Sequence, residues 1–335
     1  MEVPCIAVPQ ADGEETRQAL AAAGVLDDDH RIVGEEGTLY IPVTDPDGVP
    51  EGFETTTRAL PARETTQTPA DRLGYEPSLE RLGDVVIVDE DDPDRAAEIA
   101  DAVLASDLPA RSVLNRASKI KGELRVRDWE LLAERADAET ELAPTETVHR
   151  EYGHEFLVDL AAVYFSPRLA TERHRVVEQI QPGERVLDMF AGVGPFAIPA
   201  ASQGAEVVAV DLNETAVEYL RENARRNGVS DAITAVAGDV REVATDYQGW
   251  ADRLIMNLPH SAGAFLETAV GLAGEECVIH YYDIQHDSDP FGPGIEAIRA
   301  AAEPEYDVAV ETEHVVRSYA PHELNVCLDV RLTKS

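Results

Sequence analysis

Lysine is nearly missing from this chain. It occurs only as Lys119, Lys121 and Lys334, and 65 acidic residues face 28 Lys and Arg for a formal net charge of −37. In a dilute cytosol that balance argues against a nucleic-acid partner, because charge of one sign repels phosphates over a long screening length. In molar internal salt the Debye length falls to about 3 Å, and net charge hardly acts at distance. An acid-rich, lysine-poor chain with an ordinary hydrophobic share of 44% resembles the proteins of extreme halophiles. Disorder, the other reading of high charge, is excluded by the periodic apolar segments. The acidity therefore reports habitat more than partner.

Cysteine is scarce as well. Cys5, Cys277 and Cys327 are odd in number and scattered, which speaks against a disulfide framework or a cysteine metal site. The nine histidines show no ligand spacing, so no metal ligand set is expected, and His280 reads as a core residue in an apolar strand. No apolar run reaches the length of a membrane span, and no basic-plus-apolar leader opens the chain; the expectation is a cytoplasmic protein. A phosphate-cradling P-loop and a Ser-His-Asp arrangement are both missing.

What is present centres on Val186 to Ala200, VLDMFAGVGPFAIPA. Apolar residues lead to Asp188, a turn carries Gly192 and Gly194, and an apolar helical run follows. This is a strand–glycine turn–helix opening, in which the backbone approaches a nucleotide cofactor and a helix start presents free N–H groups to it. On spacing alone it also fits a dinucleotide site. A second strand, Val207 to Val210, ends in Asp211, 23 residues after Asp188, where an acid can hydrogen-bond ribose hydroxyls. Helix 214–227 is closed by Gly228. A third strand runs from Ile233 to Val236 into Gly238-Asp239, and a fourth from Arg253 to Met256 into Asn257-Leu258-Pro259-His260. Strand Cys277 to Tyr282 follows, and the runs 307–317 and 324–333 are close enough to form an antiparallel pair. One acid at a strand end serves equally well as a helix cap. Four polar strand ends in register with a glycine turn mark the ligand-binding edge of an open α/β sheet.

The length predicts two or three domains. Residues 1–55 read as a small α+β module with strands Val3 to Val8 and Thr38 to Val43 and a helix from Glu14 to Ala23. Prolines and glycines over 45–72 predict an exposed linker, placed at 56–74. An α+β domain at 75–165 follows, with a buried strand at Leu82 to Val88, a helix at Pro93 to Leu108, a polar loop or hairpin at 129–150 and a strand at Glu155 to Phe165. It holds the one strongly basic stretch, Arg111, Arg116, Lys119, Lys121, Arg125 and Arg127, opposed only by Glu123, where a phosphate backbone can dock. Helix 172–180 then joins the last domain, 166–335. The fold class is α/β, with a doubly wound Rossmann-like sheet at the C-terminus preceded by small α+β domains.

Asp188, Asp211, Asp239 and then Asn-Leu-Pro resemble the class I methyltransferases that use S-adenosylmethionine. That resemblance implies Asp188, Gly192, Gly194, Asp211, Leu212, Asp239, Val240 and Asn257 at the cofactor, with Asp211 on the ribose and Asp239 on the adenine amino group. A nicotinamide dehydrogenase, the spacing-only alternative, has no comparable use for Asn257-Leu258-Pro259. A wider set is similar to the archaeal and eukaryotic tRNA (guanine-37 N1)-methyltransferases: Leu82-Gly83-Asp84, Leu124-Arg125-Val126-Arg127, Val163 to Leu169, Asp188 to Phe196, Asn257-Leu258-Pro259, His280-Tyr281-Tyr282 and Ser318-Tyr319-Ala320-Pro321. The match covers about residues 75–335, and the N-terminal module only by position and size.

The resemblance implies methyl transfer to N1 of guanosine 37 of tRNA by a monomer. Glu172 is then the general base, Arg125 (or Arg127) the cation that stabilises charge on O6, and Asn257 with Pro259 the holder of the Watson–Crick edge of a flipped base. Tyr164 packs near the base or orders Glu172, and Arg173 or Arg168 pairs with the cofactor carboxylate. The N-terminal module is expected to contact the tRNA. Wybutosine-pathway enzymes that transfer the aminocarboxypropyl group, or methylation of a modified guanosine 37, are the alternatives. The former carry an aromatic residue where Pro195 stands and lack Asn-Leu-Pro.

Overall fold

The computed structural model describes residues 2–63, 66–122, 124–136 and 140–335. Glu64 and Thr65 of the expected linker, Glu123 of the basic stretch, and 137–139 of the polar stretch lie outside the described residues. The chain divides into two compact units, Met1–Thr68 and Pro69–Ser335.

In the first unit β1 (Glu2–Pro9) is followed by α1 (Gly13–Ala22), β2 (Val33–Glu35), β3 (Thr38–Pro42) and β4 (Thr55–Ala59). The sheet order is β2-β3-β1-β4, all antiparallel. Leu20 of α1 packs on Ile6, Val8, Ile41 and Val43, the inward set that alternation along a strand provides. The linker expectation is corrected at its start. Thr55-Thr56-Thr57 pair with β1, and β-branched residues suit an edge strand better than a loop.

The second unit opens with α2 (Pro69–Leu73), β5 (Leu79–Leu82), β6 (Val85–Val88), α3 (Pro93–Ala105), β7 (Ser112–Arg116) and β8 (Trp129–Glu134). The expected single strand over 82–88 is broken, because Gly83 turns the chain at φ 56°. A Cβ there would lie 2.1 Å from Thr147 Oγ1, so only glycine fits. β6 and β7 are parallel around α3, and β5 and β8 flank them antiparallel. Asp92 caps α3, accepting from the N–H groups of Asp94 and Arg95, with Pro93 in the first turn.

A hairpin of β9 (Glu146–Glu151) and β10 (His154–Asp159) comes next. The strand expected to run on to Phe165 stops at Asp159, whose carbonyl accepts from the N–H groups of Ala162 and Val163. Leu160 and Val163 are buried without strand pairing; their apolarity marks the core and not a strand.

The last section contains α4 (Ala170–Val177), β11 (Arg185–Asp188), α5 (Ala197–Ser202), β12 (Glu206–Asp211), α6 (Glu214–Arg226), β13 (Ile233–Ala237), α7 (Val240–Val243), β14 (Ala251–Met256), α8 (Leu266–Leu272), β15 (Ala273–His286), α9 (Gly292–Ala302), β16 (Tyr306–Ala320) and β17 (Glu323–Lys334). Seven strands form one sheet in the order β13-β12-β11-β14-β15-β17-β16. The first five are parallel, and β17 runs antiparallel to both of its neighbours, β15 and β16, so β16 points the same way as the first five. Period-two alternation splits the core: Leu254 and Met256 pack on one face with α8 and α9, and Ile255 on the other with α4 and α5.

The two parts of this unit share a core. Leu82, Leu114, Phe156 and Val163 pack with Val193, Ile198 and Ala216. The free edge of β10 is satisfied by two asparagines of α6. Asn223 accepts from Leu157 N–H at 2.7 Å and donates to Leu157 carbonyl at 3.1 Å. Asn227 does the same for Glu155, at 3.0 and 2.7 Å. Four helical residues rise about 6 Å and two strand residues about 6.6 Å, so the two amides meet two alternate strand positions. Among the described residues no helix is long and apolar enough to cross a membrane.

Candidate active site

The sheet's C-terminal edge collects the polar strand ends. After β11 the chain turns at Gly192 (φ 52°) and Gly194 (φ 90°), and a Cβ on Gly194 would meet the buried Ile198 at 3.0 Å and Leu220 at 3.2 Å. Asp211 closes β12 and braces this turn. Its Oδ2 accepts from Gly192 N–H at 2.7 Å and its Oδ1 from Asn213 N–H at 2.8 Å, while burial raises its carboxyl. Leu212 beside it is 51% exposed, an apolar platform at the rim. Asp239 caps α7 through Arg241 N–H and pairs with the Arg241 side chain, which lowers its carboxyl. The Val240 side chain packs into the core behind Asp239.

Asp188 is buried. Its Oδ1 accepts from Phe190 N–H at 3.3 Å, and its Oδ2 has no partner. Burial, reinforced by the charge of Asp211, pushes its carboxyl up to about 7. A fully paired structural acid would not sit so. The orphaned oxygen, the glycine turn and the exposed Leu212 together fit S-adenosylmethionine, with Asp188, Gly192, Gly194, Asp211, Leu212 and Asp239 as the residues that would hold it.

A second group of residues reaches this edge from the preceding part of the unit. The Tyr164 carbonyl lies 3.9 Å from the point where a Cβ on Gly192 would be. The Arg125 guanidinium sits 5.0 Å from the Tyr164 ring centroid, held on a backbone at φ 55°. Arg125 also acts on the turn after β14: burial and the Arg125 charge lower the His260 imidazole, and His260 directly follows Pro259. Asn257, Leu258 and Pro259 are half-buried, and Ser261 and Ala262 N–H donate to Leu258 carbonyl to lock the turn. Arg127 points to Trp129, 5.5 Å from its ring, and burial with the neighbouring Arg116 lowers it. The Arg125 guanidinium thus lies over the Tyr164 ring and the Arg127 guanidinium over the Trp129 ring. A cavity of about 160 Å³ is lined by Arg125, Arg127, Tyr164, Arg168 and Arg317.

The basic stretch is smaller in space than in sequence. Arg111 is buried, donates to Asp84 and Glu134, and also binds the carbonyls of Ala143 and Glu146; it pins the sheet and cannot dock a phosphate. Arg116 is paired with Glu80 and Asp89, and Lys121 with Asp128. Lys119, Arg125 and Arg127 carry the remaining charge.

Glu172 lies buried in the first turn of α4. Its Oε1 accepts from the Tyr282 hydroxyl at 2.8 Å, and the Arg175 guanidinium donates to both oxygens at 2.8 Å. The Tyr282 ring lies 6.1 Å from that of Phe196, so Glu172 connects to the helix that leaves the glycine turn. Arg173 is corrected. Only 3% exposed, it donates to both oxygens of Glu151 at 2.7 and 2.5 Å and to the Ser166 carbonyl, so its guanidinium ties α4 to β9 and is not directed at the cofactor. Arg168 is exposed, 3.2 Å from Glu80.

Sequence reading missed Arg175, Tyr282, His314 and Asp329 as neighbours of Glu172. The i,i+3 spacing of Glu172 and Arg175 and the acid within the apolar run Cys327 to Leu332 were the available signals. Folding also brings His280, Cys327 and Asp329 within 4.8 Å of one another, a cluster no linear spacing reveals.

A sheet of order 3-2-1-4-5-7-6 with a glycine turn after its first strand defines a class I, S-adenosylmethionine-dependent methyltransferase. The model of the TRM5/TYW2 methyltransferase domain matches residues 147–311, and that of the tRNA methyltransferase 5 N-terminal domain matches residues 5–51. The tRNA (guanine(37)-N(1))-methyltransferase Trm5b of Pyrococcus abyssi is 38% identical over 98% of each chain. The chain belongs to the tRNA (guanine-37 N1)-methyltransferase family. A structure of the complex of aTrm5 and tRNALeu matches with a TM-score of 0.74 at 33% identity, covering 98% of this chain and 99% of that one. The tRNA(Phe) (4-demethylwyosine(37)-C(7)) aminocarboxypropyltransferase of Pyrococcus horikoshii is 33% identical, over 76% of this chain and 89% of its own.

Proposed function

We propose that this enzyme transfers methyl from S-adenosylmethionine to N1 of guanosine 37 in the anticodon loop of tRNA. The observation that carries the reading is the meeting of Arg125 and Tyr164 beside Gly192, with the Arg125 charge also felt by His260 in the turn after β14. Bound at the glycine turn, the cofactor supplies an electrophilic methyl group. The chain's residues must then present a nucleophilic nitrogen to it. A base inside a stacked loop has to leave the stack, and the Asn257 amide, with the backbone stiffened by Pro259, holds its Watson–Crick edge. Losing the N1 proton drives negative charge onto O6, and Arg125 over Tyr164 is the cation in place to stabilise it. Glu172 takes the proton as general base.

The N-terminal unit, the small domain ahead of residue 166 and the exposed cations of the basic stretch are assigned to tRNA contact in this reading. The enzyme is taken as a cytoplasmic monomer. The relatives support methyl transfer over aminocarboxypropyl transfer, since the match to Trm5b runs through the N-terminal unit as well. Mass spectrometry of the nucleoside formed from an unmodified transcript separates the two groups. Recovery of 1-methylguanosine is expected, and an aminocarboxypropyl adduct would overturn the assignment.

A further inference from the structure

Arg175 holds two carboxylates at once. Its Nε and Nη2 donate to Glu172 at 2.8 Å each, and its Nη1 and Nη2 donate to Asp329 Oδ2 and Oδ1 at 2.5 and 3.1 Å. Asp329 is buried and fixed from behind by Gln179 Nε2 at 3.1 Å and His280 Nδ1 at 2.7 Å. His280 Nε2 is 2.6 Å from Arg253 Nη1. A guanidinium only donates, so Nε2 accepts and Nδ1 carries the hydrogen given to Asp329. Arg253 in turn donates to Glu184 at 2.8 Å. A continuous polar line thus runs through the core from Glu172 to Glu184.

We infer that Arg175 and Asp329 form a positioning pair that sets the ease with which Glu172 takes the substrate proton. The inference rests on the reading of Glu172 as general base. While Glu172 is ionised, two carboxylates share one guanidinium. When the proton leaves N1 for a Glu172 oxygen, the N1–H electron pair stays on nitrogen and forms the bond to the methyl carbon; the carbon–sulfur bond breaks with its pair left on sulfur. Glu172 is then neutral, and Arg175 keeps Asp329 as its counter-charge. The half-buried Arg175 is not left unpaired, which is the costly outcome for an ion pair that loses one partner.

The other groups facing Glu172 do not replace this pair. Tyr282 donates to Oε1, His314 Nε2 lies 3.2 Å from Oε2, and Cys327 Sγ is 3.4 Å from Arg175 Nη2. Burial raises the Tyr282 hydroxyl and the Cys327 thiol, so both stay neutral. Burial also lowers His280, against the pull of Asp329, and leaves it the neutral donor required above. Asp329, despite burial, is held far below the usual carboxylate range by His280 and Arg175. It remains charged throughout.

The test is single-turnover methyl transfer as a function of pH, on an unmodified tRNA transcript with guanosine at position 37. Asp329→Asn frees Arg175 to act on Glu172 alone, which makes proton uptake harder. The acidic limb of the profile should move about one unit lower, and the plateau should fall about threefold, because a weaker base loses part of that shift in rate. Arg175→Met leaves two carboxylates facing each other and should move the limb about one unit higher. Arg175→Lys should move it the same way by less. Rate loss with the limb unmoved, or limbs moving in one direction for both positions, would overturn the inference. Should Asp329→Asn no longer bind S-adenosylmethionine by calorimetry, the upward shift in Arg175→Lys decides alone. Glu172→Gln is run beside them: if it keeps the wild-type rate, Glu172 is not the base. If it loses rate while the other limbs stay in place, the base stands and the positioning pair falls.

Discussion

Replacing Asp188 by Asn should make the free protein more stable above neutral pH, with about a third of that gain already present at pH 5. The carboxylate is buried, with one backbone donor and one orphaned oxygen, and burial pushes it up to about 7 from 3.8. An acid raised in this way keeps its proton in the folded chain after the unfolded chain has released its own. Stability therefore falls as pH rises from about 4 to about 7, and the full penalty applies above that range. About three units correspond to about 4 kcal/mol. Relaxation and water entry reduce such penalties, so the working figure is about 2 kcal/mol. Asn keeps the acceptor for Phe190 N–H and cannot ionise, which removes the pH-dependent part. Denaturant melts at pH 5 and pH 9 in molar potassium chloride measure the difference directly. The same variant should bind S-adenosylmethionine more weakly, because an acid kept at this penalty has a use when ligand is present. A gain of equal size at both pH values, or lower stability at pH 9, would refute the reasoning.

Three further substitutions and one change of conditions carry expectations of their own. Gly194→Ala forces a left-handed residue into Ile198 and Leu220; it should cost about 3 kcal/mol and remove cofactor binding, and an unchanged melting temperature would contradict this. Arg111→Met breaks two ion pairs of a buried guanidinium and should cost about 3 kcal/mol without changing the salt slope of tRNA binding. Lys119→Gln, at an exposed position, should leave stability alone and flatten that slope by up to about one. With a net charge of −37, the melting temperature should climb as potassium chloride rises from about 0.1 M to 1 M and the screening length shrinks from about 10 to 3 Å; a flat response would show that surface repulsion is not limiting.

Much of the sheet was legible because parallel strands buried on both faces read as continuous apolar runs that stop at polar residues. Asp188, Asp211, Asp239 and Asn257 all fall at such stops, and Gly228 ended α6 as expected. Reading failed where apolarity served the core without pairing, as at Leu160 and Val163, and where a single glycine folded one apparent strand into two, at Gly83. Charge was the least legible property. Arg111 and Arg173 looked like ligand contacts in one dimension, but their carboxylate partners, Asp84, Glu134 and Glu151, are supplied by tertiary packing. The same holds for Glu172: its role can be expected from the motif around it, but the Asp329 behind its arginine comes from a strand 154 residues beyond Arg175.

The central claim is tested most directly with labelled S-adenosylmethionine and two unmodified transcripts, identical except for guanosine or adenosine at position 37, in molar potassium chloride. Label on the guanosine transcript alone, recovered as 1-methylguanosine, is the expected result. Label on both transcripts, or on neither while the cofactor still binds, would contradict it.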